Sequence, residues 1–200
     1  MNIEPSMKLQ KSRLRKEIRL KRSGLSENLR VQLDSAINRQ LVEYGEQTRP
    51  GVIAAFMAFD GEPDLAPALK QLELSGITLA LPVVEYTPGK SVIGFRQWST
   101  NWVLKNNRYG IPEPSGTERI PTMEIDLVLV PLVAWDEAGG RLGMGASFYD
   151  RHFQPFRGLN RPLRMGVAYE LQKVEKLPLD PWDVRLHAML SERGWFTCAG

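Results

Sequence analysis

The chain has 200 residues, of which 42% are hydrophobic and 24% are charged, so its length and composition suit one soluble globular domain. No apolar run approaches the roughly 20 residues that cross a bilayer, and no apolar segment follows the basic N-terminus to make a secretory signal. The single cysteine, Cys198, excludes an internal disulfide and a cysteine-based metal site. We therefore expect a cytoplasmic protein that binds no membrane.

The first predicted helix, over residues 8–22, carries most of the excess positive charge of a chain whose formal net charge is +3. Leu14 and Ile18 form an apolar line beside the cationic pair Lys11 and Arg15, because residues four apart share a helix face. The helix can be a solvated surface, a basic patch for nucleic acid, or a source of cations for a small anionic ligand. It holds no aromatic side chain for bases to stack on, which argues against a single-stranded nucleic-acid platform.

Hydrophobic periodicity in the first half of the chain predicts a parallel crossover unit. Apolar residues recur every four positions over 29–45 and indicate a second amphipathic helix. A buried strand over 52–59, a helix over 64–74 and a strand over 77–81 then follow. This order is typical of a parallel sheet, whose ligands gather at the carboxyl ends of the strands. Glu62 lies at such an end, in the turn after the first strand, and is therefore a candidate ligand contact.

Later segments add strands to the same predicted sheet. Residues 92–98 alternate in polarity and predict a strand, and residues 125–130 and 164–169 are short apolar runs typical of strands buried on both faces. Residues 109–114 are expected to be extended, because proline disfavours helix in the residue before it. The tail from Ser191 is expected to be poorly fixed.

A glycine-spaced loop joins the strand over 125–130 to a helix that begins at Phe148. The loop carries Arg141, Gly143 and Gly145, and the amides at a helix N-terminus carry partial positive charge. A strand, a loop and a helix in this order can hold phosphate. The loop lacks the Gly-Lys-Ser/Thr ending of a P-loop and the glycine spacing of a dinucleotide fold, so a plain structural turn remains the alternative.

Six short segments, in one order along the chain, carry a resemblance to a known family. They are KSRLR at 11–15, FDGE at 59–62, YGIPEP at 109–114, DLVLVP at 126–131, RLGMG at 141–145 followed by Tyr149 and Asp150, and WDV at 182–184. Any one segment would be weak evidence, but six at matching spacing are specific. From Lys11 to Leu190 the chain resembles the 5-formyltetrahydrofolate cyclo-ligases, also called methenyltetrahydrofolate synthetases.

The resemblance implies a fold and an activity. The expected fold is a three-layer α/β domain over residues 1–200, with its core over residues 8–190, in which helices flank a mostly parallel sheet. This Rossmann-like class is similar to sugar-phosphate isomerase and CoA-transferase-type folds. The expected activity is the ATP- and Mg²⁺-dependent conversion of 5-formyltetrahydrofolate to 5,10-methenyltetrahydrofolate, with release of ADP and phosphate. The protein would act on these small molecules as a monomer, without nucleic acid.

The resemblance also implies roles for matching residues. Contacts with ATP are implied for Lys11, Ser12, Arg13, Leu14 and Arg15, and for Arg141, Leu142, Gly143, Met144, Gly145, Ala146, Ser147, Phe148 and Tyr149. Contacts with the folate are implied for Arg15, Met57, Glu62, Tyr109 and Tyr149. As catalytic residues, Arg141 would oppose charge on the phosphates and Glu62 would orient the pterin or the formamide. Asp150 and Asp183 would hold magnesium, which prefers oxygen ligands and retains several waters.

The loop departs from its family at three positions. Ala146, Ser147 and Phe148 stand where the family has small glycine-rich residues and a tyrosine. Because a left-handed backbone costs a residue with a Cβ about 1–2 kcal/mol, we predict negative φ angles at Ala146 and Ser147. Both residues would then belong to the helix start, where the Ser147 hydroxyl would accept an amide hydrogen bond. Gly143 and Gly145 would be the glycines that the loop needs.

Two alternatives remain open from the sequence. A sugar-phosphate isomerase or an acyl-CoA-handling enzyme on a similar scaffold would place a catalytic carboxylate or lysine at the anion loop and show no ATP dependence. A nucleic-acid-binding protein would use residues 8–22 and would bind oligonucleotides with a steep salt dependence. Within that helix we expect Lys11 and Arg15 to contact a ligand, and Lys21 and Arg22 to contribute little.

Overall fold

The computed structural model of the protein describes residues 6–87, 90–108 and 110–199. Its α-helices are α1 (Met7–Ser23), α2 (Glu27–Thr48), α3 (Ala66–Leu74) and α4 (Phe148–Phe153). Short 3-10 turns lie at Thr122–Glu124, Gln154–Phe156 and Glu170–Gln172. Within the described ranges, every helix is too short or too polar to cross a membrane.

The ends of the helices follow from local chemistry. The α2 helix begins after Ser26, whose hydroxyl accepts a 3.3 Å hydrogen bond from the Leu29 amide, and it ends at Arg49 in a left-handed conformation. The α3 helix has a proline in its first turn, and the Asp64 carboxylate accepts the Ala66 amide at 3.0 Å. Such contacts satisfy amides that have no partner inside the helix. The helices predicted over 8–22, 29–45 and 64–74 are confirmed.

Strands join into a large mixed sheet. They are β1 (Val52–Ala54), β2 (Thr78–Thr87), β3 (Lys90–Trp98), β4 (Lys105–Asn106), β5 (Pro112–Glu113), β6 (Arg119–Ile120), β7 (Leu127–Pro131), β8 (Ala134–Trp135), β9 (Arg141–Leu142), β10 (Leu163–Val167), β11 (Ala188–Ser191) and β12 (Gly194–Thr197). Among the described residues the main sheet has the order β12-β11-β10-β7-β1-β2-β3-β6. Its middle strands, from β11 to β2, run parallel, and the strands at both edges are antiparallel.

The sheet is covered on both faces, as the three-layer prediction required. Along β7 the side chains of Leu127 and Leu129 join the apolar cluster that holds α2 and α3 residues, whereas Val128 and Val130 join the cluster that holds Phe153 of α4. This alternation follows from the two-residue period of a strand, and it places helices on opposite faces. The predicted α/β fold class is therefore confirmed.

Two predicted strands have different lengths in the structure. The strand predicted over 52–59 ends at Ala54, because the chain leaves the sheet there and turns at Asp60 and Gly61, both of which have positive φ. The strand predicted over 77–81 continues to Thr87, because it pairs along its whole length with β3.

The prediction that the tail from Ser191 is poorly fixed is wrong. Residues Gly194–Thr197 form β12, which pairs antiparallel with β11 after a tight turn. The ring of Trp195 contacts the edge of Tyr44 in α2, with ring centroids 5.1 Å apart. Glycine at Gly194, with φ of 129°, permits the return of the chain, and the aromatic contact holds the strand against the domain.

The order of strands creates a crevice at one edge of the sheet. The neighbouring strands β1 and β7 lead in opposite directions across the sheet. From β1 the chain crosses through α3 to β2, whereas from β7 it continues to β10, which lies on the far side of β7 from β1. Ligands of open α/β sheets bind where neighbouring strands lead off in opposite directions, outside their carboxyl ends. The carboxyl ends of β1 and β7 are therefore the expected place for a binding site.

Candidate active site

A cavity of about 790 Å³ lies at these carboxyl ends. Its floor comes from residues after β1, within β2 and at the end of β7: Phe56, Met57, Leu81, Pro82, Val84, Pro131 and Leu132. The N-terminal half of α1, the loop over 141–149, the turn that holds Glu62 and the turn over 180–183 close it. Segments distant in sequence thus meet around one space that is large enough for two small ligands.

The α1 helix contributes a row of cations to this cavity. Lys8, Lys11 and Arg15 line it, because positions three and four apart share one helix face. The Lys11 ammonium lies 2.7 Å from an Asp180 oxygen and 2.6 Å from an Asp183 oxygen. Burial acts to lower the pKa of Lys11, but the hydrogen bonds and charges of the two carboxylates outweigh it, so the pKa is raised. The Arg15 Nε donates to the Gly143 carbonyl at 2.8 Å.

The residues between Lys11 and Arg15 do not reach the cavity. Ser12 and Arg13 are exposed and lie outside its lining, and Leu14 packs against the apolar cluster around Ile18. The predicted ATP contacts of these three residues are therefore not supported by the geometry. Helical periodicity is the reason, since it turns intervening residues away from the face that Lys11 and Arg15 share.

The predicted phosphate loop lines the cavity along its whole length, from Arg141 to Tyr149. Arg141 is buried at the end of the β8–β9 hairpin and forms a short ion pair with Asp150. Its guanidinium lies over the Tyr149 ring, 5.6 Å from the centroid. Among the described residues its Nε has no hydrogen-bond partner, although it is buried. The loop therefore presents a positive group next to a carboxylate, at the start of a helix.

The backbone of the loop differs from the prediction at Ser147. This residue has φ of 51° and ψ of 29°, a left-handed conformation, and its hydroxyl makes no capping hydrogen bond. The predictions of a negative φ and a cap at Ser147 are therefore wrong, and α4 begins only at Phe148. Ala146 keeps a φ outside the positive range. The reversal of the chain into α4 requires a left-handed residue just before the helix, so the chain accepts strain there.

Only one of the two predicted glycines is required by its backbone conformation. Gly145 has φ of 108°, which a side chain would strain, whereas Gly143 has no positive φ and a Cβ there would meet nothing within 4 Å. The family pattern held a signal for a left-handed residue at Ser147. The family has glycine-rich residues at these positions, and glycine adopts a left-handed backbone without strain. The prediction of a negative φ at Ser147 is wrong because it considered only the strain of a left-handed residue and ignored the reversal of the chain into α4.

The two carboxylates predicted to hold magnesium both line the cavity. One Asp150 oxygen forms the ion pair with Arg141 and also accepts a hydrogen bond from the Val184 amide at 3.2 Å. One Asp183 oxygen binds Lys11 and accepts the Asp180 amide at 2.9 Å. Within the described residues there is no group of three or more histidine, cysteine or acidic side chains that would hold a metal by itself. A metal here would need oxygens from a ligand as well.

Glu62 also lines the cavity, in a turn that begins at Phe59. Its side chain is only 9% exposed, and one of its oxygens accepts the Phe59 amide at 3.2 Å. Burial raises the pKa of Glu62 to about 7, although the charge of Arg22 and the Phe59 amide act in the other direction. Burial and the Glu62 charge raise the pKa of Tyr149 above its ordinary value. This wall therefore presents one buried carboxyl group next to apolar side chains.

A family comparison decides between the alternatives left open by the sequence. A profile of the 5-formyltetrahydrofolate cyclo-ligase family matches residues 7–192. The chain belongs to this family. A 5-formyltetrahydrofolate cyclo-ligase of Haemophilus influenzae is 33% identical over 183 residues, which cover 90% of this chain and 96% of the relative. The predicted family is thus confirmed, and the isomerase, acyl-CoA and nucleic-acid alternatives are set aside.

Solved structures agree with the family assignment. The NMR structure of Aquifex aeolicus 5,10-methenyltetrahydrofolate synthetase superposes with a TM-score of 0.80 at 33% identity, covering 94% of this chain and 92% of that one. A 5,10-methenyltetrahydrofolate synthetase from Mycoplasma pneumoniae has a TM-score of 0.73 at 27% identity, covering 91% and 98%. The chain is therefore a cyclo-ligase family enzyme over nearly its whole length.

Sequence reasoning about this cyclo-ligase missed several residues of the site. Lys8 belongs to the cavity row of α1, which its spacing of three and seven from Lys11 and Arg15 would have shown. Trp182 lines the mouth, 58% exposed, beside the Asp180 that pairs with Lys11. Tyr109, predicted to contact the folate, lies outside the described residues.

Arg22, which was expected to contribute little to ligand binding, lies outside the cavity lining, and that expectation stays a prediction. Its side chain is fully buried and pairs with Asp60 at 2.8 Å. Arg22 follows Leu14 and Ile18 at intervals of four, so it lies on the apolar face of α1 that the sequence already indicated.

Proposed function

We propose that this cyclo-ligase binds ATP along the cationic wall of the cavity, which holds Lys8, Lys11, Arg15 and Arg141. It binds 5-formyltetrahydrofolate along the Glu62 wall, which holds Phe56, Met57 and Glu62, and forms 5,10-methenyltetrahydrofolate, ADP and phosphate. The observation that supports the proposal best is the meeting of α1, the 141–149 loop and the Glu62 turn around one cavity of about 790 Å³. Cavities for small ligands span about 300–1,000 Å³, so this volume suits a nucleotide and a pterin side by side.

The nucleotide phosphates would lie between α1 and the loop. Lys8, Lys11 and Arg15 face this space from α1, and Arg141 faces it from the hairpin. Arg141 pairs with Asp150 in the first turn of α4, where the backbone amides add partial positive charge. Charge-assisted hydrogen bonds from such groups are stronger than neutral ones, so the arrangement suits a polyanion.

The residues present fit a magnesium ion held jointly with phosphate. Asp150 and Asp183 supply carboxylate oxygens at the cavity wall, and magnesium is commonly bound through one or two carboxylates, substrate phosphates and water. When bound, magnesium would neutralise charge on the phosphates and fix their orientation. Lys11 and Arg141, which pair with these carboxylates, would then turn to the phosphates themselves.

The proposed reaction needs no nucleophilic side chain. The formyl oxygen of the substrate attacks the γ-phosphorus, and the bond to the leaving ADP oxygen breaks. The folate N10 then forms a bond to the activated formyl carbon and loses its proton, and the carbon–oxygen bond breaks as phosphate leaves. Both attacking atoms belong to the substrate, so the protein contributes positioning and charge stabilisation. Arg141, which lines the cavity, would oppose charge on the transferred phosphoryl group.

Glu62 would orient the folate. Its ionised carboxylate would accept hydrogen bonds from N–H groups of the pterin, while Phe56 and Met57 beside it cover apolar ring surface. A buried carboxylate without an ion pair gains more from such bonds than an exposed one, because it has already lost its water. Binding of the folate would therefore favour the ionised form of Glu62.

The proposal is tested by following the absorbance of methenyltetrahydrofolate as it forms from 5-formyltetrahydrofolate. Product should appear only with both ATP and Mg²⁺, and one phosphate should be released for each product molecule. Lys21→Ala, which changes an exposed residue of α1 paired with Glu17, should behave as the unmodified protein. Product formation without ATP would contradict the proposal. A monomeric state and a cytoplasmic location remain predictions, for sedimentation and cell fractionation.

A further inference from the structure

The buried arginine of α1 joins the cavity floor to the turn that carries Glu62. Arg22 is fully buried, its Nη2 lies 2.8 Å from an Asp60 oxygen, and its Nη1 donates to the Leu132 carbonyl at 3.3 Å. Leu132 belongs to the cavity floor. Among the described residues the Arg22 Nε is buried without a hydrogen-bond partner. Burying a guanidinium that is only partly satisfied is costly, so stability alone is a weak reason for its presence.

Asp60 connects this arginine to the turn that holds Glu62. The turn is conformationally special, since Asp60 has φ of 53° and Gly61 has φ of 76°. From the solvent side, the more exposed Arg19 also pairs with Asp60, at 2.7 Å. Asp60 is therefore held between a buried and an exposed arginine of α1, and Glu62 follows it by two residues. Within the described residues no cation lies in ion-pair distance of Glu62 itself.

We propose that Arg22 and Asp60 form a buried positioning pair that fixes the turn carrying Glu62, and that within this pair the charge of Arg22 favours the ionised Glu62 carboxylate for its ligand. Arg22 would act through Asp60 and through its own charge, without touching the folate. The role of Glu62 towards the folate rests on the proposed function, whereas the action of the pair on Glu62 does not.

The charges around Glu62 support a division of roles within the pair. Burial opposes ionisation of Glu62, and its pKa is about 7; the Arg22 charge lowers this pKa, and the Asp60 charge raises it. The other charged and titratable groups towards this space are Arg15 from α1, Arg30 of α2 against Gly61, and Tyr149, Asp150 and Arg141 of the same cavity lining. Loss of Arg22 and loss of the Asp60 charge should therefore move the titration of Glu62 in opposite directions.

The test is a titration of the Glu62 carboxyl carbon by NMR on ¹³C-glutamate-labelled protein, assigned with Glu62→Gln. We expect the midpoint to rise in Arg22→Met, which keeps an apolar chain of similar length in the buried space, and to fall in Asp60→Asn. Asparagine tolerates the left-handed backbone at this position, so the second variant should keep the turn. Arg22→Lys, which retains the charge, should restore most of the shift.

Arg19→Gln is the matched control, because it removes the other arginine that pairs with Asp60. Its midpoint should stay closer to that of the unmodified protein than the midpoint of Arg22→Met. Opposite shifts in Arg22→Met and Asp60→Asn support the pair. Shifts in the same direction, no shift in either, or an equal shift in Arg19→Gln would overturn it. If Arg22→Met does not fold, Asp60→Asn and Arg22→Lys decide the question.

The pH profile of kcat/KM for 5-formyltetrahydrofolate at saturating ATP gives the functional readout. Its acid limb should move to higher pH in Arg22→Met and to lower pH in Asp60→Asn, following the NMR midpoints. An acid limb that stays in place in both variants while the NMR midpoints move would overturn the functional part of the inference. If the unmodified protein makes no product with ATP and Mg²⁺, the proposed function fails, and the NMR result still decides the pair.

Discussion

The two walls of the cavity hold their charges in opposite ways. On the cationic wall, Lys11 pairs with Asp183 and Arg141 pairs with Asp150, so these two positive groups already have a carboxylate. On the other wall, Glu62 is buried beside apolar side chains, and Arg22, whose positive charge lowers the pKa of Glu62, is bound to Asp60. The two arrangements suit different ligands. Ion pairs whose cations can exchange their carboxylates for phosphates suit a polyanion, whereas one carboxylate without an ion pair suits a ring system that donates hydrogen bonds.

The largest expected effect is at Asp150, on the cationic wall. Asp150→Asn should lower kcat by about 100- to 1,000-fold, the range seen when one electrostatic contact of a catalytic site is removed, because it removes a carboxylate proposed to hold magnesium and the partner of Arg141. The measurement is product absorbance at saturating Mg²⁺. Asp183→Asn should lose less, because Asp183 shares Lys11 with Asp180. Full activity in both variants would remove the magnesium assignment.

On the other wall, Glu62→Gln should raise KM for the folate by about 10- to 100-fold, as expected for loss of a hydrogen bond to a charged group, and leave KM for ATP near its original value. Since the pKa of Glu62 is about 7, kcat/KM for the folate should fall as the pH drops through this value in the unmodified protein. That acid limb should be absent from Glu62→Gln. A rise in KM for ATP instead would place Glu62 at the wrong wall.

The same variant should be more stable at alkaline pH. The folded pKa of Glu62, about 7, lies above the ordinary 4.5, so ionising it in the folded state costs stability that is intact below pH 4.5 and lost as the pH rises to 7. Removing the charge should therefore raise the free energy of unfolding by about 3 kcal/mol at about pH 8, and by much less at about pH 5. Urea unfolding at both pH values measures this. An equal gain at both would contradict a buried, ionised Glu62.

A backbone change comes next in size. Gly145→Ala forces a Cβ onto φ of 108° in the loop of the cationic wall, at a cost of about 1–3 kcal/mol, so KM for ATP should rise about tenfold or more. Gly143→Ala adds the same methyl group where φ is not positive and a Cβ meets open space. A comparable loss in Gly143→Ala would mean that the ligand approaches both residues closely and that strain is not the cause.

Single cations of α1 should have a smaller effect. Lys11→Ala and Arg15→Ala should each raise KM for ATP by about tenfold, because each removes one charged hydrogen-bond donor from the cavity wall. Lys21→Ala, on an exposed face of the same helix, is the control. Equal losses at all three positions would indicate a diffuse field and no specific contact.

The smallest expected effect is at Ser147. Since its φ of 51° is costly for a residue with a Cβ, Ser147→Gly should stabilise the protein by about 0.5–1 kcal/mol, in spite of the added freedom of the unfolded chain. Activity should change little. Thermal unfolding measures the stability of this variant, and Ala146→Gly is the control because φ at Ala146 is not positive. A gain in stability in Ala146→Gly alone would contradict this account.

The two walls also differ in how much of their structure could be predicted from the sequence. The helices, the central parallel strands and most of the cationic wall could be predicted, because they depend on local periodicity and on contiguous segments such as 141–149. The spacing of Arg22 from Leu14 and Ile18 puts it on the apolar face of α1, but its pairing with Asp60 could not be assigned, because that pairing depends on how α1 packs on a distant turn. Ser147 was assigned wrongly because local strain was weighed without the direction that the chain must take into α4.

The central claim is that the two walls bring the γ-phosphoryl group of ATP against the formyl oxygen of the folate. The most direct measurement uses 5-formyltetrahydrofolate labelled with a heavy oxygen isotope at the formyl group and follows the label by mass spectrometry of the released phosphate. Direct transfer predicts that each phosphate carries the label from the substrate. Unlabelled phosphate, released while methenyltetrahydrofolate forms, would contradict the claim.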